Sequence, residues 1–177
     1  ARLLPARGYA GVTTNHIASA AGVGIASVYE YFPGKDAIVA QVAERFVRRV
    51  LARLEVAVPG ILRSPPEGAV RRWIEIVYAT LEREKKLLAV FVYEVPYTNR
   101  LEPFRAAMPM LVEFSLSMRA RLGARVTFEN EGAEIYLMVN LVSSTIQQLV
   151  LDPPRDISKE EVIAALAARI ESWIWGR

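Results

Sequence analysis

The chain has 177 residues, 53% of them hydrophobic and 23% charged, with a formal charge of +3 and no cysteine. That is enough for one large domain, or a small domain joined to a larger one, and it excludes disulfides, thiolate zinc sites and cysteine nucleophiles. The apolar runs are short, such as "LLAVFVY" at 87–93. None can span a bilayer, and no secretory signal opens the chain, so a cytoplasmic protein is expected.

In chain order, strand signals are nearly absent and helical spacing is everywhere. The opening "ARLLPARGY" begins inside a helix that Gly8 stops, so it is predicted to end near Arg7, with further residues expected before Ala1. Short helices follow over 14–20 and 25–31, then a longer one over 35–56, ended by Pro59-Gly60. Ser64-Pro65-Pro66-Glu67 reads as the cap of a long helix to about Tyr93, which Pro96 closes. Another runs over 103–122, bent or restarted at Pro109. Thr127 is expected to cap a helix to 151, with Glu129 and Glu131 at its positive end. Ser158 and Glu161 form a capping box for the last helix, to 175. The fold class is all-α: three short helices, then a larger helical bundle, with the helix from 35 joining the two parts.

Charge is uneven along this order. Residues 1–50 hold six Lys/Arg (Arg2, Arg7, Lys35, Arg45, Arg48, Arg49) against three acids (Glu30, Asp36, Glu44), while the rest of the chain is balanced. The small excess lies in the direction expected of an end that meets a polyanion. In "TTNHIASAAGVGIASVYEYF", Ile17, Ala18, Ala21, Val23, Val28 and Phe32 fall where two short helices would pack. Gly22 sits at the turn, where a positive φ is cheap only for glycine. This is a helix-turn-helix pattern. With Val28 inward, the second helix presents Ile25, Ala26, Ser27, Tyr29 and Tyr31. Small side chains let it enter a groove, hydroxyls can reach phosphates, and Thr14 and Lys35 flank it at helix starts. The plainer alternatives are a packed Tyr29, a surface His16 and a solvated helix face for Arg45, Arg48 and Arg49.

The string from Gly8 to Val39 resembles the DNA-binding module of the TetR-type (tetracycline-repressor-like) transcriptional regulators. The resemblance rests on Gly8-Tyr9, Thr13-Thr14, Ile17-Ala18, Ala21-Gly22-Val23, Ser27-Val28-Tyr29, Tyr31-Phe32 and Lys35. It implies a homodimeric, ligand-responsive repressor, cytoplasmic, without cofactor, metal or membrane. Such a protein binds a palindromic double-stranded DNA operator and is released by a small, mainly apolar effector. Residues 1–46 would be the DNA-binding domain, and residues 47–177 the effector-binding and dimerisation domain. The implied DNA contacts are Thr14, Asn15, Ile25, Ala26, Ser27, Tyr29, Tyr31 and Lys35. Many relatives have serine where this chain has Gly24, which offers no hydroxyl to a phosphate.

In the body, aromatic and methionine side chains at helical spacing are ordinary core or the lining of an apolar pocket. The pocket reading takes Trp73, Val77, Phe91, Phe104, Met108, Phe114, Met118 and Tyr136, with Asn140 as polar anchor or as a bond across a helix interface. Glu94 is a partner for a cationic guest or a solvated carboxylate at a helix end. Ile135, Val139, Val142, Ile146 and Leu149, with Ile163, Leu166, Ile170, Trp173 and Ile174, suit a four-helix dimer interface or the interior of a monomer. An effector-independent architectural DNA binder is one rival. An enzyme on a helical bundle is the other, but one histidine cannot supply paired Glu-x-x-His ligands.

Overall fold

The computed structural model describes residues 2–65, 67–121 and 128–175, the side chains of 117–121 excepted. The side chain of Met118, and Thr127 altogether, therefore lie outside what is described. Among those described, the elements are helices joined by turns: α1 (Leu3–Gly11), α2 (Thr14–Ala21), α3 (Ile25–Tyr31), α4 (Lys35–Arg63), α5 (Ala69–Arg83), α6 (Lys85–Ala89), α7 (Glu102–Arg121), α8 (Glu131–Leu151) and α9 (Lys159–Trp175). A π-helical turn, Val90–Glu94, follows α6, and a 3-10 turn, Thr98–Arg100, precedes α7.

Several boundaries differ from the sequence reading. Gly8, at φ +68°, kinks α1 after Arg7, and one more turn runs to Gly11. Pro59-Gly60 does not end α4, which continues to Arg63. Glu55, Val56, Pro59 and Gly60 are exposed, so the carbonyl that proline leaves without its helical partner faces water. Val58 and Ile61 are buried with Ala69 against Trp73, Ile76 and Phe114, and that packing carries the helix through the proline. Ser64 does not start the next helix. Its hydroxyl donates to the Ile61 carbonyl (2.8 Å) and accepts from Arg72, which also bonds the Glu67 and Pro65 carbonyls. Helix α5 begins only at Ala69. The single helix expected to reach Tyr93 is broken at Glu84, whose carboxylate takes both Nε (3.2 Å) and Nη2 (2.9 Å) of Arg49. That contact raises the Arg49 pKa. Pro109 lies inside α7, on its exposed side. Asn130 caps α8 by accepting from Ala133 N (3.1 Å). Ser158 caps α9 with Glu161 in the expected box.

The chain divides into two compact units: Ala1–Arg49 with Glu84–Ala106, and Val50–Arg83 with Ala107–Arg177. In the first, α2 packs on α3, and α1 packs on α6 and the π-helical turn. Phe91 is fully buried there, its ring 5.6 Å from Phe46 and 5.1 Å from Phe104. In the second, α5 packs on α8 and α9 around Ile74 and Ile146, both fully buried.

Candidate nucleic-acid interface

Thr13 opens the site. Its hydroxyl accepts from His16 N (3.2 Å) while His16 Nδ1 accepts from Thr13 N (3.4 Å), a capping box with histidine in place of the usual acid. His16 Nε2 lies 3.1 Å from Arg7 Nη1. The sequence marks this role only as Thr-x-x-His.

Helix α2 ends in a left-handed residue, Gly22 at φ +69°. Val23 N donates to Ala18 O (3.1 Å) and Gly22 N to Ser19 O (3.2 Å), the two bonds of a Schellman motif. The turn aims α3 across α2, with Ala18 and Val28 buried at the crossing. It also throws Ala21 and Val23 outward, Val23 being 46% exposed. These two do not pack as the pattern suggested, because the chain reverses immediately after them.

The expected contact residues stand on one short stretch of surface. Asn15, Ile25 and Ala26 are exposed, Thr14 and Ser27 are half-buried, and Tyr29 and Tyr31 are 53% and 79% exposed. Tyr29 is therefore not a packed aromatic. Its hydroxyl lies 3.1 Å from Thr14 Oγ1, joining the start of α2 to the side of α3. Gly24 caps α3 without a side-chain bond. Lys35, half-buried, donates to the Tyr9 carbonyl (3.1 Å) and sits 3.9 Å above the Tyr9 ring. Arg48 and Arg49 are paired with Glu44 and Glu84, as suits a structural helix face.

Residues 1–42 match the family profile described as bacterial regulatory proteins, tetR family. The chain's N-terminal module is of the tetR family. Two curated proteins are similar to this chain. The uncharacterized HTH-type transcriptional regulator YerO of Bacillus subtilis (strain 168) is 18% identical over 99% of the chain and 62% of its own length. The HTH-type transcriptional regulator EthR of Mycolicibacterium smegmatis (strain ATCC 700084 / mc(2)155) is 30% identical over 44% of the chain and 35% of its own length. The chain thus spans less than two thirds of either relative. Among solved structures, the TetR family transcriptional regulator PfmR from Thermus thermophilus shares the fold, with a TM-score of 0.57 and 18% identity over 97% of this chain and 89% of that one.

The expected effector residues fall into the two units. Phe91 and Phe104 belong to the first, within the Phe46 cluster. Trp73, Val77, Met108, Phe114, Tyr136 and Asn140 belong to the second. There Trp73 stacks on Phe114 at 5.2 Å. Tyr136 is 52% exposed, and Asn140 Nδ2 donates to the Tyr136 carbonyl of its own helix (2.8 Å). Of the expected interface residues, Ile135, Val139, Ile146, Leu149, Ile163, Leu166 and Ile170 are buried within one chain, while Val142, Trp173 and Ile174 are half-buried. The buried ones fill the core of the second unit. Beside that core on α8 and α9, Leu141, Thr145, Ile157, Val162, Ala165 and the core residue Leu166 line an open groove of about 480 Å³, with Glu161 and Arg169 also in its lining. No described helix is long and apolar enough to cross a membrane.

Proposed function

We propose that this chain is a DNA-binding transcriptional repressor of the cytoplasm, without catalytic activity, that binds a palindromic operator as a homodimer and releases it on binding a small, apolar effector. The observation that carries the reading is the bare side of α3. Tyr29, Tyr31, Ile25 and Ala26 stand in solvent beside Thr14, while Val28 and Ala18 are buried. Apolar and aromatic groups on so short a helix cost solubility unless something covers them. A major groove fits them, with small side chains reaching base edges and hydroxyls reaching phosphates.

A homodimer would place two such helices about one helical turn of DNA apart, or a multiple of it. The side of α8 and α9 around Leu141 and Ile157 supports that assembly, since the neighbouring faces of both helices are spent on the chain's own core. For the effector, the Trp73–Phe114 stack is the aromatic surface an apolar guest would part or extend. The guest weakens DNA binding by the difference in its affinity for the two states, and DNA weakens the guest's binding equally.

Selection from a randomised duplex library tests the reading. The full chain should enrich an inverted repeat with half-sites one or two turns apart. Enrichment of nothing, or binding indifferent to sequence, overturns it.

A further inference from the structure

Between residues 8 and 34 the chain has no lysine or arginine, and its single charge is Glu30. A polyanion gripping this stretch must therefore find its cations at the two ends, at Arg7 and Lys35. Both ends are held by side chains from a distant part of the first unit.

At one end, Gly8 takes φ +68°, and a Cβ there would run into the Glu94 carboxylate. Tyr9 N donates to Glu94 Oε2 (2.8 Å). At the other end, Asp36 Oδ1 accepts from the hydroxyls of Tyr9 (2.9 Å) and Tyr97 (2.6 Å), whose rings meet edge to face at 5.9 Å. Lys35 is tied in through the Tyr9 carbonyl and ring. Burial, and then the Asp36 contact, pushes ionisation of the Tyr97 hydroxyl well above the ordinary phenol range, so it remains a donor. Glu94 and Tyr97 are set by the π-helical turn. Val95 N bonds the Val90 carbonyl (3.1 Å), and the Thr98 hydroxyl bonds that of Phe91 (2.5 Å). π-helical turns are rare and concentrate at functional sites.

We propose that Glu94 and Tyr97 are positioning residues for DNA binding. Through Tyr9 and Asp36 they fix the two segments that carry Arg7 and Lys35, the cations at either end of this stretch. The inference rests on the DNA-binding reading above. A structural tie alone would stabilise the unit without touching how many phosphates it engages. A positioning role predicts that loss of the tie is felt through Lys35.

The test uses the full chain and a duplex that the unmodified chain selects from a randomised library. Tyr97→Phe keeps the ring and removes the hydroxyl. Its dissociation constant should rise roughly tenfold at low salt, the effect of one lost hydrogen bond. The slope of log affinity against log salt should become shallower by about one phosphate contact. In a Lys35→Ala background, Tyr97→Phe should add little, which a merely structural role would not produce. Glu94→Ala, which removes the acceptor of Tyr9 N, supplies the same readouts if Tyr97→Phe loses its helical circular dichroism. An unchanged affinity and slope overturns the proposal, and so does an equal loss with and without Lys35. An unmodified chain that selects no duplex overturns the DNA reading itself, a distinct result.

Discussion

The hydroxyls of Tyr29 and Thr14 lie 3.1 Å apart, one on the side of α3 and the other at the first residue of α2. The pair presents two hydroxyls as a unit to one region of an approaching backbone. Tyr29→Phe and Thr14→Val should each weaken binding of a selected duplex, and the double variant should lose less than the sum of both. Tyr29 is exposed and Thr14 only half-buried, so the thermal transition should move by no more than about 0.5 kcal/mol equivalent. Fluorescence anisotropy with a labelled duplex, alongside thermal melts, checks both. A Tyr29→Phe chain that melts early yet binds normally would mean that Tyr29 serves packing.

Gly22 and Gly8 share a positive φ but differ in surroundings. A Cβ at Gly22 would meet nothing within 4 Å, so Gly22→Ala has only the left-handed backbone to overcome, about 1–2 kcal/mol. Gly8→Ala adds collision with Glu94 and should cost more, with loss of the Tyr9–Glu94 bond. Urea denaturation of both variants tests the order. Equal losses would mean that Glu94 yields freely.

How much of this was legible beforehand follows the range of each signal. The turn at Gly22, the bare side of α3 and the Ser158–Glu161 cap depend on neighbours within a few residues, and the sequence states them. Thr13–His16 was hidden only because histidine replaces the usual acid of a capping box. Glu94, Tyr97 and Asp36 come together through tertiary folding across half the chain, and no local pattern points to them. Pro59 shows the converse, a strong local stop overridden by burial of Val58 and Ile61 on either side of it.

That override is measurable. Pro59 lies on the exposed side of a continuous helix, where proline is about 3 kcal/mol worse than alanine. Part of this is returned through the freer unfolded chain of an alanine variant. Pro59→Ala should therefore raise stability by about 1–2 kcal/mol in denaturant melts. A loss of stability would show that the bend at Pro59 is needed for packing.

Two isoleucines near α8 and α9 should behave oppositely. Ile146 is fully buried, so Ile146→Ala should cost about 2–5 kcal/mol and lower the melting temperature at any concentration. Ile157 is 52% exposed at the open groove. Ile157→Arg should leave helical content intact while shifting the mass seen by light scattering from dimer to monomer. It should also abolish any concentration dependence of melting. A dimer that survives Ile157→Arg places the interface elsewhere.

The last prediction concerns acid. Hydrogen bonds from Tyr97 and then Tyr9 hold the Asp36 carboxyl below its ordinary value of 3.8. A carboxyl with a lowered folded-state pKa binds fewer protons folded than unfolded. Its contribution to stability is complete above the unfolded value and disappears as pH falls through the folded one. The loss should therefore begin near pH 4 and deepen below it. Glu161, held low by Ser158, acts in the same direction, so total acid sensitivity does not isolate Asp36. The difference between the unmodified chain and Asp36→Asn does, because the amide oxygen still accepts from the tyrosines but does not titrate in this range. Stability measured from pH 7 down to pH 3 should fall more steeply in the unmodified chain, with the two curves converging below about pH 4. Parallel curves throughout would mean that the tyrosine bonds do not distinguish the carboxylate from the acid.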